Sequence, residues 1–150
     1  MALDSVVHFL RHHRKIALDT SVFIYQLEAN VRYLPFTDQI FAWLERPGHA
    51  AVTSTNTMTE LLVHPYREAD QQRVDELYGV VSTYPNLEWI APDLEIASLA
   101  ASLRAQYHLK TADALQAATA MSSEVSAFVT NDRVFKRLEA FETLILDELL

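Results

Sequence analysis

Four carboxylates, Asp19, Glu60, Asp113 and Asp132, stand in four separate short segments of this chain, and acids of this kind can hold one or two metal ions if the fold gathers them. Oxygen-only ligands select hard cations, magnesium or manganese, in preference to zinc or copper. The chain has no cysteine to supply a thiolate, and its histidines offer no convincing ligand pair. Such ions bridge a scissile phosphate, generate hydroxide from bound water near neutral pH and stabilise the oxyanions that enter and leave in line. Phosphodiester hydrolysis is the chemistry that this set would serve.

Each acid also has a plainer reading. Asp19, Asp113 and Asp132 sit at or just inside expected helix starts, where aspartate caps free N–H groups and complements the macrodipole. What shifts the balance is position: Asp19 and Asp132 directly follow apolar runs, and Thr20, Ser21, Thr130 and Asn131 beside them add oxygen ligands or phosphate contacts. Glu60 stays open between two readings. Met58, Leu61 and Leu62 define the apolar face of its helix, and at 100° per residue Glu60 falls on the other side, solvated or pointing into a cleft. His64, four residues on, does not match the Glu-x-x-His spacing of di-iron helices.

The elements that must position these acids alternate between strand and helix. Short apolar runs at 15–19, 50–53, 87–90, 127–130 and 144–146 read as strands, and the stretches between them are too long for hairpins. Apolar residues at helical spacing recur at Val74, Leu77, Tyr78 and Val81, and again at Ile96, Leu99, Ala100, Leu103 and Tyr107. Pro92-Asp93 and Lys110-Thr111 resemble helix starts, whereas Pro47-Gly48, Pro65 and Tyr84-Pro85 read as stops or turns. The expectation is an α/β fold of three layers, α/β/α, around a central mainly parallel sheet of four or five strands. Sites in that class form outside the carboxyl ends of the strands, where Asp19 and Asp132 would lie.

A length of 150 residues with 50% hydrophobic content and only two glycines fits one domain, residues 1–150, with a single helix-leaning globular core. Residues 1–14 form an expected extra N-terminal helix, capped by Asp4, with Val6, Val7, Phe9 and Leu10 on one side and the basic run 11–15 at its end. That run suits the helix dipole, and a docking helix is the preferred reading over an RNA-binding arm. His8 and His12 stand four apart but lack a third metal ligand. The positive charge follows the apolar stretch, the reverse of a secretory signal, and no apolar run approaches a membrane span, so the expected location is cytoplasmic. A net charge of −8 argues against a simple nucleic-acid-binding module, although two divalent cations on the acids would halve it.

At these segments the chain resembles the PIN-domain ribonucleases, and most of all the single-domain toxins of VapC-type toxin–antitoxin pairs. The likeness spans roughly residues 15–147. Residues 18–25 (Leu-Asp-Thr-Ser-Val-Phe-Ile-Tyr) are similar to the family's first motif, 59–62 (Thr-Glu-Leu-Leu) to its second, 111–118 (Thr-Ala-Asp-Ala-Leu-Gln-Ala-Ala) to its third and 129–132 (Val-Thr-Asn-Asp) to its fourth. The resemblance implies a magnesium- or manganese-dependent endoribonuclease in which Asp19, Glu60, Asp113 and Asp132 hold the metal and its attacking water. Thr20, Ser21, Thr130 and Asn131 would support them, and Asp132 would organise a second ion or a water. It also implies a homodimer inhibited by a small antitoxin that covers the acidic cleft.

Rival readings fare less well. A phosphoaspartyl hydrolase needs a second aspartate at position 21, which is serine, and a receiver domain needs a lysine after a late strand, where 146–148 reads Leu-Asp-Glu. Gly48 and Gly79 are isolated and cannot build a phosphate-cradling loop, so no nucleotide cofactor is expected. A serine–histidine hydrolase lacks its nucleophile elbow. The alternative kept open is a non-catalytic RNA- or protein-binding scaffold of the same fold. Arg133, Lys136 and Arg137 form a modest basic stripe that could guide RNA or simply be a solvated helix face.

Overall fold

The central strands are buried at nearly every position, and their side chains alternate between two cores, one on each side of a sheet. The computed structural model describes residues 2–150, and among these five strands pair: β1 (Lys15–Leu18), β2 (Ala50–Ser54), β3 (Leu87–Ile90), β4 (Ala127–Thr130) and β5 (Glu142–Ile145). Their spatial order is β3-β2-β1-β4-β5, with every pairing parallel. Because parallel strands must be covered on both faces, the helices divide between them. α1 (Ala2–Arg11), α2 (Thr20–Leu27), α3 (Leu34–Leu44), α4 (Thr55–Arg67) and α5 (Gln71–Ser82) pack on the face presented by Ile16, Leu18, Ala127 and Val129. α6 (Leu94–Tyr107) and α7 (Thr111–Ser122) cover Ala17, Val52 and Phe128 on the other. The three-layer architecture read from the sequence is the one observed, with an all-parallel sheet.

Strand order explains where a site can form. From β1 the chain moves outward through β2 to β3, then crosses back to β4 on the other side of β1. Neighbouring connections therefore diverge at the β1/β4 pair, which opens a crevice at its carboxyl end. Asp19 is the first residue after β1, and its N–H donates to the Val129 carbonyl (3.0 Å), so the β1–β4 ladder fixes its backbone.

Local differences from the sequence reading have physical causes. Pro65 lies inside α4 and does not stop it: placed in the last turn, it forfeits little beyond the single bond to the Leu61 carbonyl. Asp4 falls within the first turn of α1 and not at its cap. β5 begins at Glu142, before the apolar run, because an edge strand tolerates polar side chains. Leu146 already belongs to a closing 3-10 turn, Leu146–Leu149. No helix among the described residues is long and apolar enough to cross a membrane.

The second core centres on Phe128, fully buried, with its ring stacked on Phe135 (4.7 Å between centroids) and tilted against Phe141 (5.3 Å). Phe128→Ala should cost about 3–5 kcal/mol, read as a lower urea midpoint at unchanged denaturant slope.

Candidate metal centre

Each acid reaches the carboxyl edge of the sheet by its own route. Asp19 caps α2: its Oδ1 accepts from the Thr20 N–H (2.8 Å) and its Oδ2 from the Thr130 hydroxyl (2.7 Å). The same Thr130 oxygen accepts from the Asp132 N–H (3.1 Å), which ties the end of β4 to the end of β1. Asp132 caps a 3-10 turn, Arg133–Arg137, through Val134 N–H (3.0 Å) and is exposed. Glu60 lies on the exposed side of α4, yet its Oε1 accepts from the Thr20 hydroxyl (3.2 Å), so it leans toward Asp19 and not away from it. Asp113 sits in the first turn of α7, half-buried.

Electrostatics links the four. Burial, followed by the charges of Glu60 and Asp113, raises the Asp19 carboxyl to about 6 against the opposing hydrogen bonds from Thr130 and Thr20. Burial and then Asp113 raise Glu60, and burial and then Asp132 raise Asp113, with Lys110 opposing. None of the four joins an ion pair among the described residues. Nor are any three His, Asp or Glu side chains among the described residues drawn into a closed ligand set.

Beneath the acids runs a polar network that the sequence reading did not find. Thr20, Thr53, Thr57 and Gln116 are all buried and mutually bonded. Their protons can be assigned by elimination. Thr53 Oγ1 gives its proton to the Leu18 carbonyl (2.9 Å), so Thr57 must donate to Thr53 (2.8 Å). Thr20 gives its proton to the Glu60 carboxylate. The close approach of Thr20 and Thr57 (3.1 Å) then has no hydrogen of its own; both accept from the two hydrogens of Gln116 Nε2, at 3.2 and 2.7 Å. Thr57 lies one turn before Glu60, Gln116 one turn after Asp113, and Thr20 beside Asp19, so one junction joins the three helices near whose starts these acids lie. The available signal was a glutamine among Ala114, Ala117, Ala118 and Ala120, residues small enough to leave it room.

The supporting residues divide. Thr20 and Thr130 bond directly to the acids. Ser21 Oγ, two residues after Asp19, is buried with no hydrogen-bond partner. Asn131 is a brace: its amide donates to the Tyr25 hydroxyl (2.8 Å) and accepts from the Asp147 N–H (2.6 Å). The basic stripe beside Asp132 is largely neutralised, since Arg133 faces Asp147 and Glu148 (3.6 Å each), Lys136 pairs with Glu148 (3.0 Å) and Arg137 donates to the Tyr107 carbonyl.

A family model for the PIN domain matches residues 16–140. The chain belongs to the PIN domain family. Among solved structures, VapBC2 from Rickettsia felis bound to a promoter DNA fragment superposes on this PIN domain with a TM-score of 0.70 at 16% identity, covering 87% of this chain and 98% of that one. A toxin–antitoxin complex from Klebsiella pneumoniae gives 0.63 at 21% identity over 87% and 97%. VapBC-5 from Mycobacterium tuberculosis gives 0.57 at 25% identity over 88% and 98%. No curated protein matches the chain.

Unpaired oxygen donors with raised proton affinity are what a hard divalent cation would relieve, so the residues present fit such an ion. Two consequences can be measured. A carboxyl whose folded pKa is raised from 3.8 to about 6 contributes most stability below the lower value and loses it as pH climbs through the higher one. Asp19→Asn should therefore stabilise the metal-free protein at pH about 7.5 by up to about 3 kcal/mol, and the gap should close as pH falls to about 4. In the network, Gln116→Leu leaves two buried acceptors unmet and should cost about 1–3 kcal/mol. Gln116→Glu, which sets an acceptor against hydroxyls whose protons are committed elsewhere, should melt lower still at neutral pH.

Proposed function

We propose that this chain is a magnesium- or manganese-dependent endoribonuclease, the toxin of a toxin–antitoxin pair. The observation that carries the reading is the set of four acids, from four elements, at the carboxyl edge of the β1/β4 pair, electrostatically coupled and, among the described residues, without an ion-pair partner. Its family and the toxin–antitoxin complexes among its structural neighbours support the same reading.

Asp19, Glu60 and Asp113 would hold the ion, and Asp132 a second ion or a water. When bound, the cation supplies charge neutralisation at the scissile phosphate and a water of lowered pKa. The chain's own part is positioning. Thr130 and the Thr20 N–H pin the Asp19 carboxylate and the Thr20 hydroxyl turns Glu60 inward, so Thr20 and Thr130, both buried, act through the acids. Partners on this reading are RNA, a second copy of the chain as a homodimer, and a small cognate antitoxin seated over the acidic cleft; the location is cytoplasmic.

The test is cleavage of total RNA with manganese, with and without chelator. Asp19→Asn and Asp113→Asn, each folded by circular dichroism, should fall to the chelator background; undiminished cleavage by both would overturn the assignment. Growth arrest on expression should be relieved by co-expressing a small protein encoded beside this one.

A further inference from the structure

At the opposite edge of the sheet, beside the starts of β1 and β2, one hollow is lined by basic side chains. There the ends of α1 and α3 and the starts of β1 and β2 enclose a cavity of about 330 Å³ lined by Arg11, Arg14 and Arg46 with His13, His49 and Trp43, and by no acid. The three arginines are exposed, and among the described residues none of their guanidinium groups makes an ion pair or hydrogen bond.

The plain reading, basic residues soothing helix C-termini, does not account for them. The terminal carbonyls already have donors: Leu44 and Arg46 receive the Asn86 amide (2.8 and 3.3 Å), Trp43 the His49 ring (2.6 Å), and Phe9 and Leu10 the N–H groups of His12 and His13 (3.2 and 3.1 Å). The walls are fixed as well. His49 stacks on Trp43 (4.3 Å between centroids, 13° between planes), the Ala50 N–H holds the Arg14 carbonyl (2.8 Å), and the His13 ring is bonded through Nδ1 to the Ser126 hydroxyl (2.7 Å). Three uncommitted guanidinium groups around a rigid hollow, on a chain of net charge −8, match the forked hydrogen bonding of a phosphate group.

We propose that this cavity is a phosphate-binding site, its ligand a phosphate group either free or in the backbone of an RNA strand. The site is independent of the nuclease reading, because it is probed without metal and without cleavage. Binding of pyrophosphate by calorimetry and of a labelled single-stranded RNA by anisotropy would be measured in chelator for the wild type, Arg14→Gln, Arg46→Gln and, as a distant exposed arginine, Arg67→Gln. Arg14→Gln and Arg46→Gln should each weaken binding about tenfold and lower the salt slope for RNA by about one, with Arg67→Gln unchanged. Loss for both ligands assigns the site to free phosphate, and loss for RNA alone to a strand; either supports it. No binding by the wild type, equal binding by all variants, or an equal loss in Arg67→Gln would overturn it.

Discussion

Carboxylates that repel one another are held together here by a neutral junction that cannot rearrange cheaply. Gln116 is the only member with two hydrogens to give, and its neighbours Thr20 and Thr57 have each committed their single proton onward, to Glu60 and to Thr53. Every proton has one destination, so the side chains have one arrangement. That arrangement fixes α2, α4 and α7 against the end of β2, and with them three acids whose own interaction would drive them apart. Burial raises Asp19 before any neighbour does, and the remaining charges add to it.

Much of this was legible in the chain. Apolar runs ending in aspartate mark parallel strands that deliver Asp19 and Asp132 to a sheet edge, and the order of strands and helices gave the layers. The junction was not legible, because a threonine in a helix and a glutamine in an alanine-rich stretch carry no mark of burial until the packing partner is known. Glu60 was ambiguous for a related reason: helical phase puts it outside the apolar stripe, and only the Thr20 hydroxyl, forty residues earlier, turns it inward. The Arg133 and Lys136 stripe is a solvated face, the plainer of its two readings. Its neutralising partners, Asp147 and Glu148, come from the closing 3-10 turn, a contact no local pattern encodes.

A parallel sheet has two unlike edges, and in this protein each carries side chains whose charge has no ion-pair partner among the described residues. Strand ends and helix N-termini gather at one, where carboxylates collect; helix C-termini gather at the other, where arginines collect. The acidic edge is strained by its own charge and the basic edge carries guanidinium groups that the fold does not consume. Both conditions favour ligands of opposite sign, a cation on one side and a phosphate on the other, on a molecule whose net charge alone predicts neither.

The central claim is that Asp19, Glu60 and Asp113 hold protons more tightly than ordinary carboxyls because burial, and then the neighbouring carboxylates, disfavour their charged forms. Titrating manganese into the protein at pH about 6 in two buffers of different ionisation enthalpy measures protons released on binding. The account predicts release from the wild type and a smaller release from Asp19→Asn. Binding without proton release, or release unchanged by the substitution, would contradict it.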